Sequence, residues 1–491
     1  MLSDLHDLEL MLRSDTPLLL IESREEPRIL ELFTRLGLRL GEPVFRWTVT
    51  DGLRRAEYDI PQPALTEPAA ALKHIKATTQ SGVYLLLDFH PFLDHPLHVR
   101  LLKEIAQGFQ TAARRLVLVS HALTTPAELK HLAARVELSL PDRNRLLALI
   151  REEAQAWQHA APNRSFRANR SAVEQLARNL LGVTESDARR LIRNAIRKDG
   201  AITESDVSEV TRAKYELLSP DGVVAFEYET AGFGDVAGLD NLKRFLDRRR
   251  EVFLDGRGGR GVDPPKGIML LGVQGGGKSL AAKAVAGRFG VPLLRLDFGA
   301  LYNKYIGESE RNLREALRTA DLMAPCVLWC DEIEKGIASG QGDEGTPKRL
   351  LGSLLTWMAE RSTAVFLVAT SNDISGLPPE LVRKGRLDEI FFVDLPDAPV
   401  RTEIFRIHLA RRGLDPAGFD LRQLAAASDG FTGAGIEQAV VSALYAAEAE
   451  ERAPDTEVLL AELAATQPLS VVMGEQIARL RAWALERTVP A

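Results

Sequence analysis

The chain contains 491 residues, of which 45% are hydrophobic and 26% are charged, and its formal net charge at pH 7 is −6. A chain of this length exceeds what a single hydrophobic core supports, so several domains are expected. The composition is that of a globular protein, and the acidic balance excludes a global positive field that would attract nucleic acid or an anionic membrane surface.

The cellular compartment can also be inferred from the residues. No apolar run approaches the ~20 residues needed to span a bilayer, and the first residues lack the basic and apolar segments of a signal peptide. The two cysteines, Cys326 and Cys330, lie on one apolar segment with a spacing that prevents a disulfide, so we expect two buried apolar side chains. We therefore expect a reducing, cytoplasmic compartment and no membrane partner.

Residues 1–215 are expected to form a first α/β unit followed by helices. Strands are predicted at 17–21, 83–88 and 116–120. No Gly-Lys pair follows the first of these strands, and the acidic residues found there would repel phosphate. Three histidines follow the second strand, and their spacing is poor for a metal site: His90, His95 and His98.

Residues 216–230, which contain Ser219-Pro220-Asp221-Gly222, are predicted to be a linker. From 231 to 397, apolar strands alternate with amphipathic helices, as in a parallel sheet with crossover helices. Their near-continuous hydrophobicity indicates burial on both faces. The predicted strands are 267–271, 293–297, 326–330, 364–369 and 390–393. The helical pattern from 398 to 491 predicts a smaller helical domain, on which the last helix packs.

A glycine-rich loop after the strand 267–271 carries the strongest functional signal. Its sequence is Gly272-Val273-Gln274-Gly275-Gly276-Gly277-Lys278-Ser279, and Leu280 continues into a helix. Inward-pointing backbone N–H groups and the helix N-terminus can together hold phosphates. Lys278 is expected to reach the β- and γ-phosphates, and the Ser279 hydroxyl to ligate Mg²⁺. The pattern predicts binding of a nucleoside triphosphate.

Two further strand ends carry polar groups that suit phosphoryl transfer. Asp331 can hold Mg²⁺ through water, and Glu332 is placed to polarise the attacking water. Asn372 can hydrogen-bond the γ-phosphate or the water, although an asparagine there could equally cap a turn.

Two arginines, Arg383 and Arg386, precede the last predicted strand of the sheet. At that edge they would lie away from the phosphates of their own subunit, and guanidinium groups so placed suit the γ-phosphate of a neighbouring subunit. The alternative is a pair of solvated surface arginines.

In combination, these motifs resemble the classical clade of AAA+ ATPases. Gly272–Ser279 is similar to its Walker A motif, Asp331-Glu332 to Walker B, Asn372 to sensor 1 and Arg383–Arg386 to the arginine-finger box. The resemblance implies ATP and Mg²⁺ as ligands. It also implies an AAA+ P-loop parallel sheet with a C-terminal helical lid, preceded by a degenerate N-terminal AAA-like α/β domain.

The same resemblance implies contacts to the base and ribose. The segment Phe233–Leu239 looks like the clade's loop around the adenine, which implies roles for Asp235, Val236 and Ala237. Phe431-Thr432-Gly433-Ala434 looks like its lid segment, which implies roles for Gly433 and Ala434.

More particular features resemble the AAA family known as a hypothetical chloroplast open reading frame of algal plastids and also found in bacteria. These features are the degenerate N-terminal half, the segment Asp331–Gly336 and the C-terminal Leu480–Ala484. If the chain is plastid-encoded, a stroma-like compartment is implied. Two positions depart from the clade: Glu334 and Gly435 each stand where the clade usually has aspartate. The departure at Gly435 puts the local hydrogen bonding of the lid in question.

Internal similarity favours two copies of one plan. Leu138–Asp142 precedes a helix as Val393–Asp397 does, and Gly182–Asp187 matches Gly430–Gly435. In the same alignment Asp88 matches Asp331 and is followed by phenylalanine, so the first copy is expected not to activate water. The alternative is that two unrelated α/β units share common loop chemistry.

The segment Tyr305-Ile306-Gly307 resembles the clade's central pore loop, which grips a polypeptide in a ring; alternatively, Tyr305 packs on its own domain. The leading hypothesis is an ATP-driven homo-oligomer that remodels protein substrates or complexes, and the resemblance implies a hexamer when ATP is bound. The competing hypothesis is a regulatory ATP switch or scaffold that recruits a partner through its N-terminal half without threading. A nucleic-acid motor is disfavoured because no zinc finger, helix-turn-helix signature or basic stripe occurs.

Overall fold

Short apolar strands alternate with amphipathic helices from the start of the chain. The computed structural model describes residues 2–57, 63–160, 166–218, 224–228, 232–255, 262–301, 308–337, 345–373, 377–381, 383 and 385–491. By internal packing the chain divides into two units, Met1–Pro141 and Asp142–Ala491. The predicted linker at 216–230 lies partly outside the described residues, so the domain limits drawn around it stay predictions. None of the described helices combines the length and apolar character needed to cross a membrane.

The first unit is a six-stranded sheet flanked by four helices. Its strands are β1 (Leu18–Glu22), β2 (Val44–Thr48), β3 (Gly52–Arg55), β4 (Gly82–Leu87), β5 (Arg114–Ser120) and β6 (Ala133–Val136). Its helices are α1 (Leu2–Arg13), α2 (Glu26–Leu40), α3 (Pro68–Ala77) and α4 (Pro96–Gln107).

The strands of this sheet lie in the order β3-β2-β4-β5-β1-β6, and all neighbours are parallel except β3 and β2. Alternate side chains of β1 enter different cores, with Leu18 and Leu20 on one face and Leu19 and Ile21 on the other. A strand buried on both faces needs apolar residues at every position, which explains its unbroken hydrophobic run.

The second unit begins with a helical segment. It contains α5 (Arg143–Ala160), β7 (Arg167–Ala168), α6 (Arg170–Asn179), α7 (Glu185–Asp199), β8 (Ala201–Ile202) and α8 (Glu204–Leu218). Its core is almost entirely aliphatic and includes Leu146, Leu176 and Ile192. Gln175 Nε2 donates to Gly290 O at 3.0 Å, which joins this segment to the sheet domain that follows in the same unit.

The sheet domain of the second unit contains the five strands expected from the sequence and two short edge strands, at 225–227 and 489–490, that were not predicted. They are β9 (Ala225–Glu227), β10 (Gly267–Gly272), β11 (Leu293–Asp297), β12 (Cys326–Asp331), β13 (Val365–Ser371), β14 (Glu389–Val393) and, from the end of the chain, β15 (Val489–Pro490). The helices between them are α9 (Asp240–Asp255), α10 (Lys278–Phe289), α11 (Phe298–Leu301), α12 (Glu308–Met323), α13 (Ile333–Ile337) and α14 (Gly345–Glu360). Cys326 and Cys330 are free and buried in its core.

The two sheets share one topology. The second has the order β15-β14-β10-β13-β12-β11-β9, so that β14-β10-β13-β12-β11 corresponds to β6-β1-β5-β4-β2 of the first. In both, one antiparallel strand closes the same edge, β3 beside β2 and β9 beside β11. The predicted fold class, a P-loop-type parallel sheet with a helical lid and a preceding α/β domain of similar topology, is confirmed.

Helices complete the C-terminal part. They are α15 (Ala398–Arg411), α16 (Leu421–Ala427), α17 (Gly433–Ala449), α18 (Thr456–Ala465), α19 (Leu469–Val472) and α20 (Gly474–Ala484). The last helix does not pack on the helical domain as expected, because Leu480 and Ala484 contact Leu271 and Phe392 of the sheet. The apolar face of α20 therefore covers the end of β10, just before the glycine-rich loop.

Equivalent caps begin equivalent helices in both helical segments. Asp142 Oδ1 accepts a hydrogen bond from Arg145 N at 2.7 Å, and Asp397 Oδ1 accepts one from Val400 N at 2.9 Å. Thr184 caps α7 and Thr432 caps α17 in the same way. A side-chain oxygen at this position satisfies an N–H group that the helix leaves unpaired, which is why both copies keep the residue type.

Gly182, just before α7, should be important for the stability of the second unit. Its φ is +87°, and an added Cβ would collide with the carbonyl oxygen of Leu322 in α12. We expect Gly182→Ala to lower the free energy of unfolding by about 2 kcal/mol or more, from left-handed strain and the backbone clash together. Chemical denaturation of the full chain measures this.

Gly352 provides the matched control. It is an exposed residue in the middle of α14, and a Cβ there would meet no described atom within 4 Å. Gly352→Ala should stabilise the protein by ~0.5–1 kcal/mol, because alanine restricts the unfolded chain without straining the helix. Equal effects of the two substitutions would show that the Gly182 contact does not matter.

Candidate active site

The glycine-rich loop joins β10 to α10, and its glycines allow two unusual backbone features. Gly275 and Gly277 have φ values of +72° and +97°, a region that other residues rarely adopt. Gly272 lies so close to β14 that a Cβ would collide with the carbonyl oxygen of Val393. The loop can therefore curl tightly at the end of the strand and present its backbone N–H groups at the start of α10.

Lys278 is the first residue of α10 and is only 6% exposed. Its Nζ donates to the carbonyl oxygens of Gly272 and Val273 at 2.9 and 2.8 Å, so the ammonium is held against its own loop. Burial lowers the pKa of Lys278 to about 8, while the carboxylates of Glu334, Glu332 and Asp331 act in the opposite direction. Because the burial cost outweighs these carboxylates, an anionic phosphate would be a strongly favourable additional partner for this cation.

Asp331 ends β12 and is oriented by two donors. Thr370 Oγ1 donates to Oδ1 at 2.8 Å, and Arg295 Nη2 donates to Oδ2 at 2.9 Å. Arg295 also stacks over the Trp329 ring, with its Cζ 4.8 Å from the ring centroid. The carboxylate is therefore fixed at the edge of the sheet rather than free to rotate.

Glu332 follows with a left-handed backbone, φ +46°, which is uncommon for a residue other than glycine. Its Oε1 accepts a hydrogen bond from Asn372 Nδ2 at 2.9 Å, and its Oε2 accepts one from Lys335 Nζ. The backbone N–H of Asn372 donates to Glu334 Oε1 at 2.9 Å. Sequence alone left open whether Asn372 caps a turn; its side chain instead contacts Glu332 directly.

These groups surround a cavity of about 540 Å³. Its lining includes most of the predicted ligands: Asp235, Val236, Ala237, Gln274, Gly275, Gly276, Gly277, Lys278, Ser279, Leu280, Asp331, Glu332, Asn372, Gly433 and Ala434. The first two residues of the loop, Gly272 and Val273, do not line the cavity but contribute the carbonyl groups that hold Lys278. Arg383 and Arg386, which both belong to the described residues, do not line this cavity.

The two arginines differ in their surroundings. Arg386 Nη1 donates to the carbonyl oxygen of Leu355 in α14, and Arg383 is exposed. The predicted pore loop, Tyr305-Ile306-Gly307, lies outside the described residues.

Helices α15 and α17 contribute residues to the cavity that sequence reasoning missed. They are Ile404, Ile407, His408, Arg411 and Glu437. The available signal was the spacing of 404, 407, 408 and 411, which places these side chains on one helical face.

Polar contacts connect this helical face to the loop at 233–239. Arg411 Nη2 lies 3.3 Å from Asp235 Oδ1, and Gly232 N donates to Asp235 Oδ2 at 3.1 Å. Burial lowers the pKa of His408, and the Glu437 carboxylate, 3.6 Å away, partly offsets this. The contact of Arg411 with Asp235 therefore joins two parts of the second unit that line the cavity.

The first turn of α17 packs on the glycine-rich loop. Ala434 N donates to Gly275 O at 3.3 Å. Gly435, where the resembling clade usually has aspartate, donates its N–H to Thr432 Oγ1 at 3.1 Å. Thr432 therefore caps the helix through the backbone N–H of Gly435, a bond that does not require a side chain at that position.

The donor set fits a magnesium ion. The hydroxyl of Ser279, which is exposed, and the carboxylate of Asp331 line the same cavity, and oxygen ligands are those that Mg²⁺ prefers. Metal ions bound in this way neutralise charge on transferring phosphates.

Three family descriptions match successive parts of the chain. Residues 4–138 match the N-terminal domain of SpoVK-like AAA ATPases, and residues 144–221 match their second domain. Residues 268–395 match the AAA family, described as ATPases associated with various cellular activities. The matched ranges fall in both units and include the glycine-rich loop.

Whole-chain relatives point to a narrower family. The AAA domain-containing protein ycf46 of Pyropia yezoensis is 33% identical over 484 residues, which cover 97% of both chains. The ycf46 protein of Trieres chinensis is 31% identical over 97% of this chain and 96% of its own length. A proteasome-activating nucleotidase of Aeropyrum pernix is 39% identical over half of this chain and 64% of its own length. With this cavity and these relatives, the chain belongs to the ycf46 family of AAA domain-containing proteins and is an ATPase.

Proposed function

We propose that this ATPase works as a ring of identical subunits that remodels protein substrates or complexes. The observation that carries the proposal is the separation of its charged groups. One chain brings the phosphate loop, the acidic pair and Asn372 around a single cavity, while Arg383 and Arg386 are absent from its described lining. Arginines that stabilise the charge of the transition state must lie beside the transferring phosphate. Because Arg383 and Arg386 lie outside the site of their own subunit, each is better placed to act in the site of a neighbouring subunit.

Within one subunit, each group has a distinct task in the proposal. The loop N–H groups and Lys278 hold the triphosphate, and Ser279 and Asp331 hold Mg²⁺. Glu332 accepts the proton of the attacking water, and Asn372 keeps that carboxylate oriented through its 2.9 Å hydrogen bond. The left-handed backbone at Glu332 turns its side chain away from the strand direction, so that the two adjacent acids can serve different purposes.

Glu332→Gln should abolish turnover and leave ATP binding intact. The amide keeps the size of the side chain and can still accept from Asn372, but it cannot take a proton. We expect the ATPase rate to fall by about 10²–10⁴-fold, and the affinity for ATP to change little. Phosphate release and fluorescent-nucleotide binding measure the two quantities separately.

Glu315→Gln is the control for that substitution, because Glu315 is an exposed residue of α12 with the same chemistry. It should retain parental turnover. A Glu332→Gln variant that releases phosphate at the parental rate would remove Glu332 from the reaction.

Mixing two inactive variants tests whether the arginine acts between subunits. In Arg383→Ala the carboxylate base is intact, and in Glu332→Gln the arginine is intact. If Arg383 completes a neighbour's site, random co-assembly regenerates a complete site at about a quarter of the interfaces, and ATPase activity returns on mixing. Activity is measured on each variant alone and on the mixture.

If Arg383 acts within its own subunit, the mixture stays inactive, which would contradict the proposed ring. Arg383→Ala must first be shown to bind ATP. An Arg383→Ala variant with parental activity would mean that Arg383 is a solvated surface residue.

Remodelling of proteins is the finer part of the proposal. It is supported by the resemblance of residues 305–307 to a pore loop and by a relative whose name describes a proteasome-activating nucleotidase. Tyr305 would intercalate between side chains of a threaded polypeptide and gain contact area without sequence preference.

We expect Tyr305→Ala to lose stimulation of the ATPase by an unfolded model protein, and Tyr305→Phe to retain it, because the aromatic ring supplies the grip. Stimulation is measured as the ratio of ATPase rates with and without the unfolded protein. Undiminished stimulation in Tyr305→Ala, together with nucleotide-dependent binding of a partner, would favour the alternative of a regulatory switch or scaffold.

A further inference from the structure

The N-terminal sheet places different chemistry at the positions of the ATPase residues. Asp88 follows β4 with a left-handed backbone, φ +51°, as Glu332 follows β12 with φ +46°. Each is followed by a fully buried apolar residue, Phe89 in the first sheet and Ile333 in the second. The backbone therefore aligns Asp88 with Glu332, one position later than the sequence comparison with Asp331 suggested.

The same correspondence extends to two histidines. His90 lies two residues after Asp88, as Glu334 lies two residues after Glu332. His121 directly follows the last residue of β5, as Asn372 follows the last residue of β13. The three residues that contact one another in the ATPase site are thus replaced, in the first sheet, by an aspartate and two histidines.

Asp88, His90 and His121 converge in space. One ligand atom from each lies within 4.8 Å of the others, and the His90 and His121 rings meet edge to face with centroids 4.6 Å apart. His90 Nδ1 lies 4.0 Å from Asp88 Oδ1. This nitrogen is buried and has no hydrogen-bond partner among the described residues.

The other histidines of this region are already used. His95 Nδ1 accepts a hydrogen bond from Leu97 N at 3.3 Å and caps α4, and His98 Nδ1 lies 3.0 Å from the carbonyl oxygen of Phe92. Sequence spacing grouped His90 with these two, whereas the fold groups it with Asp88 and His121. The two histidines that remain available to a ligand are therefore His90 and His121, a pair that the sequence spacing did not identify.

A second carboxyl borders the cluster. Glu26 begins α2, the helix that corresponds to α10, and its carboxyl lies beside that of Asp88. Two imidazoles with one or two carboxylates form a ligand set that suits Zn²⁺ and neighbouring divalent transition metals, whereas Mg²⁺ prefers oxygen ligands alone.

We propose that Asp88, His90 and His121 form a divalent transition-metal site of the zinc type at the edge of the N-terminal sheet. The ion would tie the end of β4 to the end of β5 and leave at least one coordination position for water, Glu26 or a partner's ligand. The degenerate copy would thus have exchanged nucleotide chemistry for metal binding.

The test is zinc binding to the metal-stripped full chain, in buffer with excess Mg²⁺ and without nucleotide. Calorimetry should show one zinc equivalent per chain at this site, and Co²⁺ should give a visible d–d absorption band. Asp88→Asn keeps the left-handed backbone, which asparagine tolerates, and removes the charge. Asp88→Asn and His121→Ala should each weaken zinc binding by more than about 100-fold and abolish the cobalt band.

Two controls locate the site. His131→Ala removes another exposed histidine of the same unit, and Glu332→Gln alters the ATPase site only; both should bind zinc as the parent does. Zinc affinity that is unchanged in Asp88→Asn and His121→Ala, or lost in Glu332→Gln instead, would overturn the proposal. Circular dichroism of each variant verifies that the first unit is folded.

Discussion

The structure depends on a constraint of parallel sheets, which is that neighbouring strands all end at the same edge. In the second unit β10, β12 and β13 pair in register, so that the glycine-rich loop, the acidic pair and Asn372 emerge side by side. The hydrogen bond between Asn372 Nδ2 and Glu332 Oε1 is a direct result of this register. A shift of one residue in β13 would turn Thr370 away from Asp331 and separate both pairs.

Comparison of the two sheets shows which parts of this plan belong to the fold and which belong to the chemistry. Both sheets have the same strand order, and the helical segments share aspartate and threonine caps at matching positions. The phosphate loop is not shared. After β1 the chain enters α2 at Glu26, which places a carboxyl where the second unit has the Lys278 ammonium. The first sheet keeps the geometry of the strand ends although it lacks the phosphate loop. The side chains at these strand ends can therefore bind another ligand.

In the ATPase site, burial and charge act together. Lys278 is buried beside three carboxylates and two loop carbonyl groups, an arrangement that keeps a cation near the phosphates while burial lowers its pKa. The lid helix α15 adds His408 and Arg411, and the contact of Arg411 with Asp235 joins the lid to the loop at 233–239. ATP bound in this cavity would touch both the sheet domain and the lid, which gives hydrolysis a means of changing their relative position.

The sequence by itself determined the strands of the second sheet, the glycine-rich loop and the acidic pair, because these depend on local patterns: unbroken hydrophobic runs, glycines at left-handed positions and residues adjacent in the chain. It also identified the family through the order of its motifs. Only the tertiary structure decided that α20 covers the sheet, that His408 and Arg411 face the cavity, and that Asp88 occupies the position of Glu332. These features depend on contacts between residues tens of positions apart or more, or on one backbone angle. The helical spacing of 404, 407, 408 and 411 shows that these side chains share a face, but it does not show what that face meets.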